Sequence, residues 1–191
     1  MNTFVIKKEH LNTENYYIGK EDLSNYKGNI ESNGHLGIIK FYNTLKATGY
    51  INFGFGSSIQ ADENIQAGWS IKAGWSIQAD ENIQAGGSIQ ADENIQAGGN
   101  IQADRNIKAG ENIQAGESII CKGDLSSKLR IFAGLTTWKL PTREEMQIKV
   151  GKLVEGKICY GELIETGLPK EDCCENKIVE IDGKKYQLKA L

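Results

Sequence analysis

The chain has 191 residues, 22 glycines against two prolines, 39% apolar residues, and 22 basic against 25 acidic residues for a net charge of −3. That balance excludes a general nucleic-acid binder, which needs a basic stripe to neutralise phosphates, so no direct nucleic-acid binding is expected. No apolar run approaches the roughly 18 residues of a membrane span and the first fifteen residues hold no secretory apolar core, so a soluble cytoplasmic protein without a membrane partner is expected.

Residues 1–26 are polar around a strand-like run, Thr3–Ile6, and read as an N-terminal cap. Ile30, Leu36, Leu45 and Ile51 then stand as candidate anchors of an irregular repeat, with inward partners two places on at Ser32, Ile38, Ala47 and Phe53. These first coils should be bulkier than the regular coils that begin at Ile59.

From Ile59 to Ser118 the chain is ten uninterrupted hexapeptides of the type IQADEN or IQAGGS. A period of this kind takes precedence over every other signal. In a helix, anchors six residues apart turn by about 120° each, which scatters the isoleucines around the axis. In extended backbone, residues i and i+2 share a face, so Ile and Ala point inward while Gln or Lys points outward. Each unit is therefore a three-residue strand and a corner. The fourth position is Asp or Gly throughout, which suggests φ > 0 there, and the sixth is Asn or Ser, which can stack into a hydrogen-bonded ladder. Burying one Ile gains roughly 1.5–3 kcal/mol, whereas ordering six backbones costs roughly 6–12 kcal/mol, so a unit is stable only on a neighbour. The fold class is all-β: a single-stranded β-solenoid with triangular 18-residue coils over residues 27–135, its last anchors at Ile119, Leu125 and Ile131 with Cys121 inward.

Residues 138–191 read as a small β-rich C-terminal module. A short helical turn is expected near Thr142–Met146, then strands in MQIKVGKL and KICYGELIE, and a hairpin in NKIVEIDGKKYQLKAL turning at Asp182-Gly183. The runs IVEI and KYQLKAL offer an edge that a second copy could extend, so a homodimer is expected.

The units AGWSIKAGWSIQA and AGGSIQADENIQAG resemble the chlorovirus glycoprotein repeat and, more loosely, the β-helical core of bactofilins, which are polymer-forming proteins. The resemblance covers about residues 57–120 and implies architecture rather than activity. The acyltransferase β-helix differs in placing a small residue two positions before the anchor, where this chain has Glu63, Trp69, Trp75 and Glu81.

Chemistry is sparse. Cys121, Cys159, Cys173 and Cys174 form no C-x-x-C pair and read as reduced thiols. His10 and His35 are the only histidines, which excludes a three-histidine zinc site; His35 is the single catalytic candidate, and a surface corner histidine is the simpler reading. The acidic pairs lack a calcium-roll nonapeptide pattern and read as solvated corners. No metal, cofactor or catalytic residue is expected. Residues 59–118 carry nine acids and three bases, a net of −6, against +3 for the rest. The expectation is a non-catalytic interaction protein whose acidic solenoid binds a protein partner through Asp80, Glu81, Asp92 and Glu93 and a Trp69/Trp75 patch. An inhibitor or nucleic-acid mimic, such as a phage anti-CRISPR-type protein, fits that reading. The alternative is a β-helix enzyme of acyltransferase type.

Overall fold

The computed structural model describes residues 1–136 and 139–167 and, beyond them, the backbone of two strands, Ile178–Ile181 and Lys184–Gln187. The hexapeptides form a parallel β-solenoid with three strands per coil. β1 (Thr3–Ile6), β2 (Asn29–Ser32), β5 (Ile51–Phe53), β8 (Ile71–Ala73), β11 (Ile89–Ala91) and β14 (Ile107–Ala109) stack as the first face. The second is β3 (Gly37–Phe41), β6 (Ser57–Ala61), β9 (Ile77–Ala79), β12 (Ile95–Ala97) and β15 (Ile113–Ala115). The third is β4 (Leu45–Ala47), β7 (Ile65–Ala67), β10 (Ile83–Ala85), β13 (Ile101–Ala103) and β16 (Ile119–Cys121).

Register fixes the coil length: Ile59 pairs with Ile77 and Ile83 with Ile101, eighteen residues apart. Ile and Ala of every unit are buried and the residue between them faces out, as the alternation requires. The sixth-position ladder forms as well. The backbone N–H of Asn82 donates to Asn64 Oδ1 at 3.0 Å, that of Asn100 to Asn82 Oδ1 at 2.8 Å, and that of Ser118 to Asn100 Oδ1 at 3.0 Å. A side-chain acceptor thus satisfies each corner amide that would otherwise be orphaned between strands.

Two expectations about the coils differ from the structure. Ile39, not Leu36, is the second-face anchor, with Phe41 buried beside it, while Ile38 is 46% exposed. The three extra residues fall in the corner at 33–36 before the strand rather than after it, so the hydrophobic set shifts by an odd number and the faces exchange. The fourth position of the repeat does not adopt positive φ: among the described residues only Asn15 and Gly34, Gly37, Gly56, Gly134, Gly156 and Gly161 do. Glycine there answers close approach instead, since a Cβ on Gly98 would lie 2.0 Å from the Asp80 carbonyl oxygen one coil below.

The parallel ladder also continues past residue 135. β17 (Asp124–Phe132) spans the first two faces, and β18 (Gln147–Val150) stacks on β16 after a corner that contains a 3-10 turn at Glu144–Met146. β19 (Lys152–Tyr160) pairs with β17 and β20 (Glu162–Glu165) with β18, all parallel. At the other end residues 1–26 wind as a first, irregular coil. β1 pairs with β2, Tyr17 N–H donates to Lys40 O at 2.9 Å, and Tyr26 N–H donates to Lys46 O at 2.9 Å. Phe4, Tyr17, Tyr26, Phe41 and Phe53 pack edge to face or tilted in these bulky coils. β21 (Ile178–Ile181) and β22 (Lys184–Gln187) form an antiparallel hairpin; its expected turn, Asp182-Gly183, and Trp138, Cys173 and Cys174 lie outside the described residues.

Candidate interaction surfaces

With eighteen residues per coil, every corner residue has its counterpart eighteen positions on, and the fifth positions sort into three columns. Between the first and second faces stand Trp75, Glu93, Glu111 and Leu129, joined by hydrogen bonds from Glu93 N to Trp75 O at 3.2 Å and from Glu111 N to Glu93 O at 2.9 Å. Between the second and third faces stand Glu63, Glu81, Gly99 and Glu117, joined in the same way at 2.8–3.1 Å. Between the third and first faces stand Trp69, Gly87, Arg105 and Gly123.

The second face therefore lies between two acidic corners. Asp92, Glu93 and Glu111 border it on one side, and Asp62, Glu63, Asp80, Glu81 and Glu117 on the other. These are eight of the nine acids of residues 59–118. The ninth, Asp104, is at the opposite corner and pairs with Lys122 at 2.8 Å. The bases of this segment lie elsewhere: Lys72 and Lys108 point out of the first face and Arg105 stands at the third corner. Between the acidic rails runs an in-register row of Gln60, Gln78, Gln96 and Gln114.

The carboxylates are held. Glu81 Oε2 accepts from Asn64 Nδ2, Glu93 Oε2 from Ser76 Oγ at 3.1 Å, Glu111 Oε2 from Asn94 Nδ2 at 2.9 Å and Glu117 Oε2 from Asn100 Nδ2 at 2.6 Å. Each of these fifth-position glutamates thus reaches back to the sixth position of the coil below, which fixes the spacing of charge along the rail. Lys139 reaches Glu117 at 3.4 Å and partly neutralises the last carboxylate. The low-lying carboxyl of Glu145, held down by Lys139, belongs to the same cluster.

The expected site residues are not one patch. Asp80 and Glu81 sit on one rail, Asp92 and Glu93 on the other, facing each other across the glutamine row. Trp75 lies on the Asp92/Glu93 side, half-buried, with His35 edge-on to its ring at 5.1 Å. Trp69, 63% exposed, is at the third corner, away from both rails. The two tryptophans are one hexapeptide apart in sequence and therefore one corner apart in space, so the joint patch does not form. His35 lies against Gly56, where a Cβ would meet its ring, and tilts toward the exposed Phe55 at 6.4 Å. No group of three or more His, Cys, Asp or Glu that could hold a metal ion occurs among the described residues. Cys121 is buried, and desolvation pushes its thiol up to about 11. The column Trp69–Gly87–Arg105 is not apparent from the six-residue period and follows only from the eighteen-residue register.

No family model matches the chain, and neither a curated protein nor a solved structure matches it. The class established is that of a parallel β-solenoid built from hexapeptide repeats.

Proposed function

We propose that the chain is a non-catalytic binding protein of the cytoplasm whose second face docks a basic surface of a protein partner, as an inhibitor that imitates nucleic acid. The observation that carries this reading is the charge geometry. Four coils at about 4.8 Å each span roughly 19 Å, so eight carboxylates give one charge per about 2.4 Å of axis, against about 1.7 Å in duplex DNA. The charges form two rails, as phosphates form two strands, and no cation of the repeat lies between them. Such a field steers a basic groove and discriminates against other partners. Under this reading Asp80, Glu81, Asp92 and Glu93 meet the partner, together with Asp62, Glu63 and Glu111. A phage anti-CRISPR-type role is one instance of it. The likeness to the chlorovirus glycoprotein repeat and to bactofilins supports a rigid, repetitive scaffold and names no partner.

A second copy pairing along the β21–β22 hairpin is the proposed oligomeric state, and light scattering at micromolar concentration tests it: a monomer mass refutes it. The binding reading is tested by capture from the source cell, identification of the bound protein, and measurement with the purified partner. Neutralising Asp80, Glu81, Asp92 and Glu93 to Asn and Gln should slow association and flatten its salt dependence. A partner whose binding ignores those changes would overturn the proposal.

A further inference from the structure

The corner opposite the acidic face has a different chemistry. Its fifth positions form one hydrogen-bonded column in which Trp69 N–H donates to Gly49 O at 3.0 Å, Gly87 N–H to Trp69 O at 2.9 Å, Arg105 N–H to Gly87 O at 3.1 Å and Gly123 N–H to Arg105 O at 2.9 Å. Large side chains alternate with glycines, so the indole of Trp69 has an open slot above and below it. The slot toward Arg105 is about 460 Å³ and is floored by Gly86 and Gly87 with Ser70 and Ser88 at its wall. The slot on the other side is about 340 Å³, between Tyr50, Asn52 and Lys72.

Neither slot is lined by a carboxylate, and each holds one cation that is in no ion pair among the described residues. In a chain of net charge −3, eight of whose nine repeat acids gather on the far side while the ninth, Asp104, is paired with Lys122, this combination is selective: a flat aromatic surface, hydroxyl and amide groups, and unpaired positive charge among the described residues. An exposed indole stacks on the apolar face of a ring and anchors binding. Arg105 stands two coil steps from Trp69, roughly 10 Å, about the length of a disaccharide.

We propose that this corner binds an acidic oligosaccharide, one sugar ring stacked on Trp69 and the carboxylate of a neighbouring sugar on Arg105. Single-stranded nucleic acid could use the same indole, but it carries a charge on every residue. A glycan with one carboxylate per disaccharide places its charge at the spacing the column offers and meets less repulsion from the acidic rails. The inference is independent of the acidic-face reading, because the two surfaces share no residue.

The test is calorimetric titration of the full chain with a hyaluronan tetrasaccharide, which carries one carboxylate per disaccharide, a neutral cellotetraose and a hexathymidylate. The acidic tetramer should bind more tightly than the neutral one. Trp69→Ala should weaken it by about tenfold or more, as loss of a binding anchor does. Arg105→Ala should weaken it several-fold and remove the preference over cellotetraose. Melting should be unchanged in both, since both side chains are exposed, and Glu81→Gln should not weaken binding. No binding of the acidic tetramer, or equal affinity in Trp69→Ala, overturns the proposal. Tighter, Trp69-dependent binding of hexathymidylate overturns it in favour of nucleic acid.

Discussion

Replacing Ile95 by aspartate puts a carboxyl at the centre of the stack. Ile95 is fully buried and pairs with Ile77 one coil below and Ile113 one coil above. Removing its aliphatic side chain costs roughly 2–5 kcal/mol, toward the upper end because a three-residue strand held in register on both edges cannot collapse into the gap. Seating an unpartnered carboxyl adds about 2 kcal/mol, and burial drives that group to stay protonated. The sum, about 4–7 kcal/mol, rivals the whole stability of a typical domain, and at roughly 2–4 °C per kcal/mol the melting temperature falls by about 10–25 °C. Gln96→Asp, one residue on and facing water, should stay within about 0.5 kcal/mol. The buried carboxyl has its folded pKa raised above the unfolded value. Relative to the unsubstituted chain, Ile95→Asp should therefore be least impaired in acid and lose stability as pH rises through the ordinary aspartate range. Thermal melts followed by circular dichroism at pH 4 and 7 measure both effects. Equal melting of Ile95→Asp and Gln96→Asp would refute the inward and outward assignment.

Asn82→Ala removes the Oδ1 that accepts from the Asn100 backbone and leaves that amide unpaired, so a loss of about 1–3 kcal/mol is expected from denaturant melts. A loss below the error of the melt would mean the ladder only decorates the corner. The Cys121 thiol should resist alkylation in the folded chain while Cys159 reacts, as read by peptide mass mapping. Because burial raises the folded pKa of Cys121 to about 11, its contribution is intact below the ordinary thiol range and is lost as pH rises from about 9 toward 11. Cys121→Ala should abolish that part of the alkaline decline, and an unchanged decline would assign it elsewhere. Arg143→Ala breaks the two-pronged pair with Glu162 at 2.6 and 2.8 Å, but both groups are exposed and solvent screens the pair, so the melting temperature should stay within the error of the melt, and a clear drop would show that the pair holds the last coils together.

The repeat is legible in the sequence because its period is strict: Ile and Ala alternate with Gln or Lys ten times, and only stacked extended backbone buries that pattern. Ile39 is not legible as an anchor, because the sequence shows how many extra residues separate two anchors without showing on which side of a strand they bulge. β18, β19 and β20 are hard to see as coils because the six-residue spacing has decayed. β19 keeps pace with β17 only through register shifts at Ser126, Arg130 and Phe132. The acidic residues stand out in the sequence, but their grouping does not. The ADEN units recur at 18 and then 12 residues and ADRN follows after another 12, so the first two share a corner while the later ones land on others, and only the eighteen-residue register shows that Glu63 and Glu81 share a rail while Arg105 stands opposite.

The proposed docking surface is the pair of acidic rails. Its most direct measurement is the association rate of the captured, purified partner with the full chain at low and physiological salt. It should be repeated on a variant carrying Asn or Gln at Asp62, Glu63, Asp80, Glu81, Asp92, Glu93 and Glu111. The association rate should fall with salt in the native chain and be slow and salt-independent in the variant, with nearly unchanged melting. Native-like binding by the variant, together with loss of binding when residues 168–191 are removed, would contradict it and reduce the solenoid to a spacer.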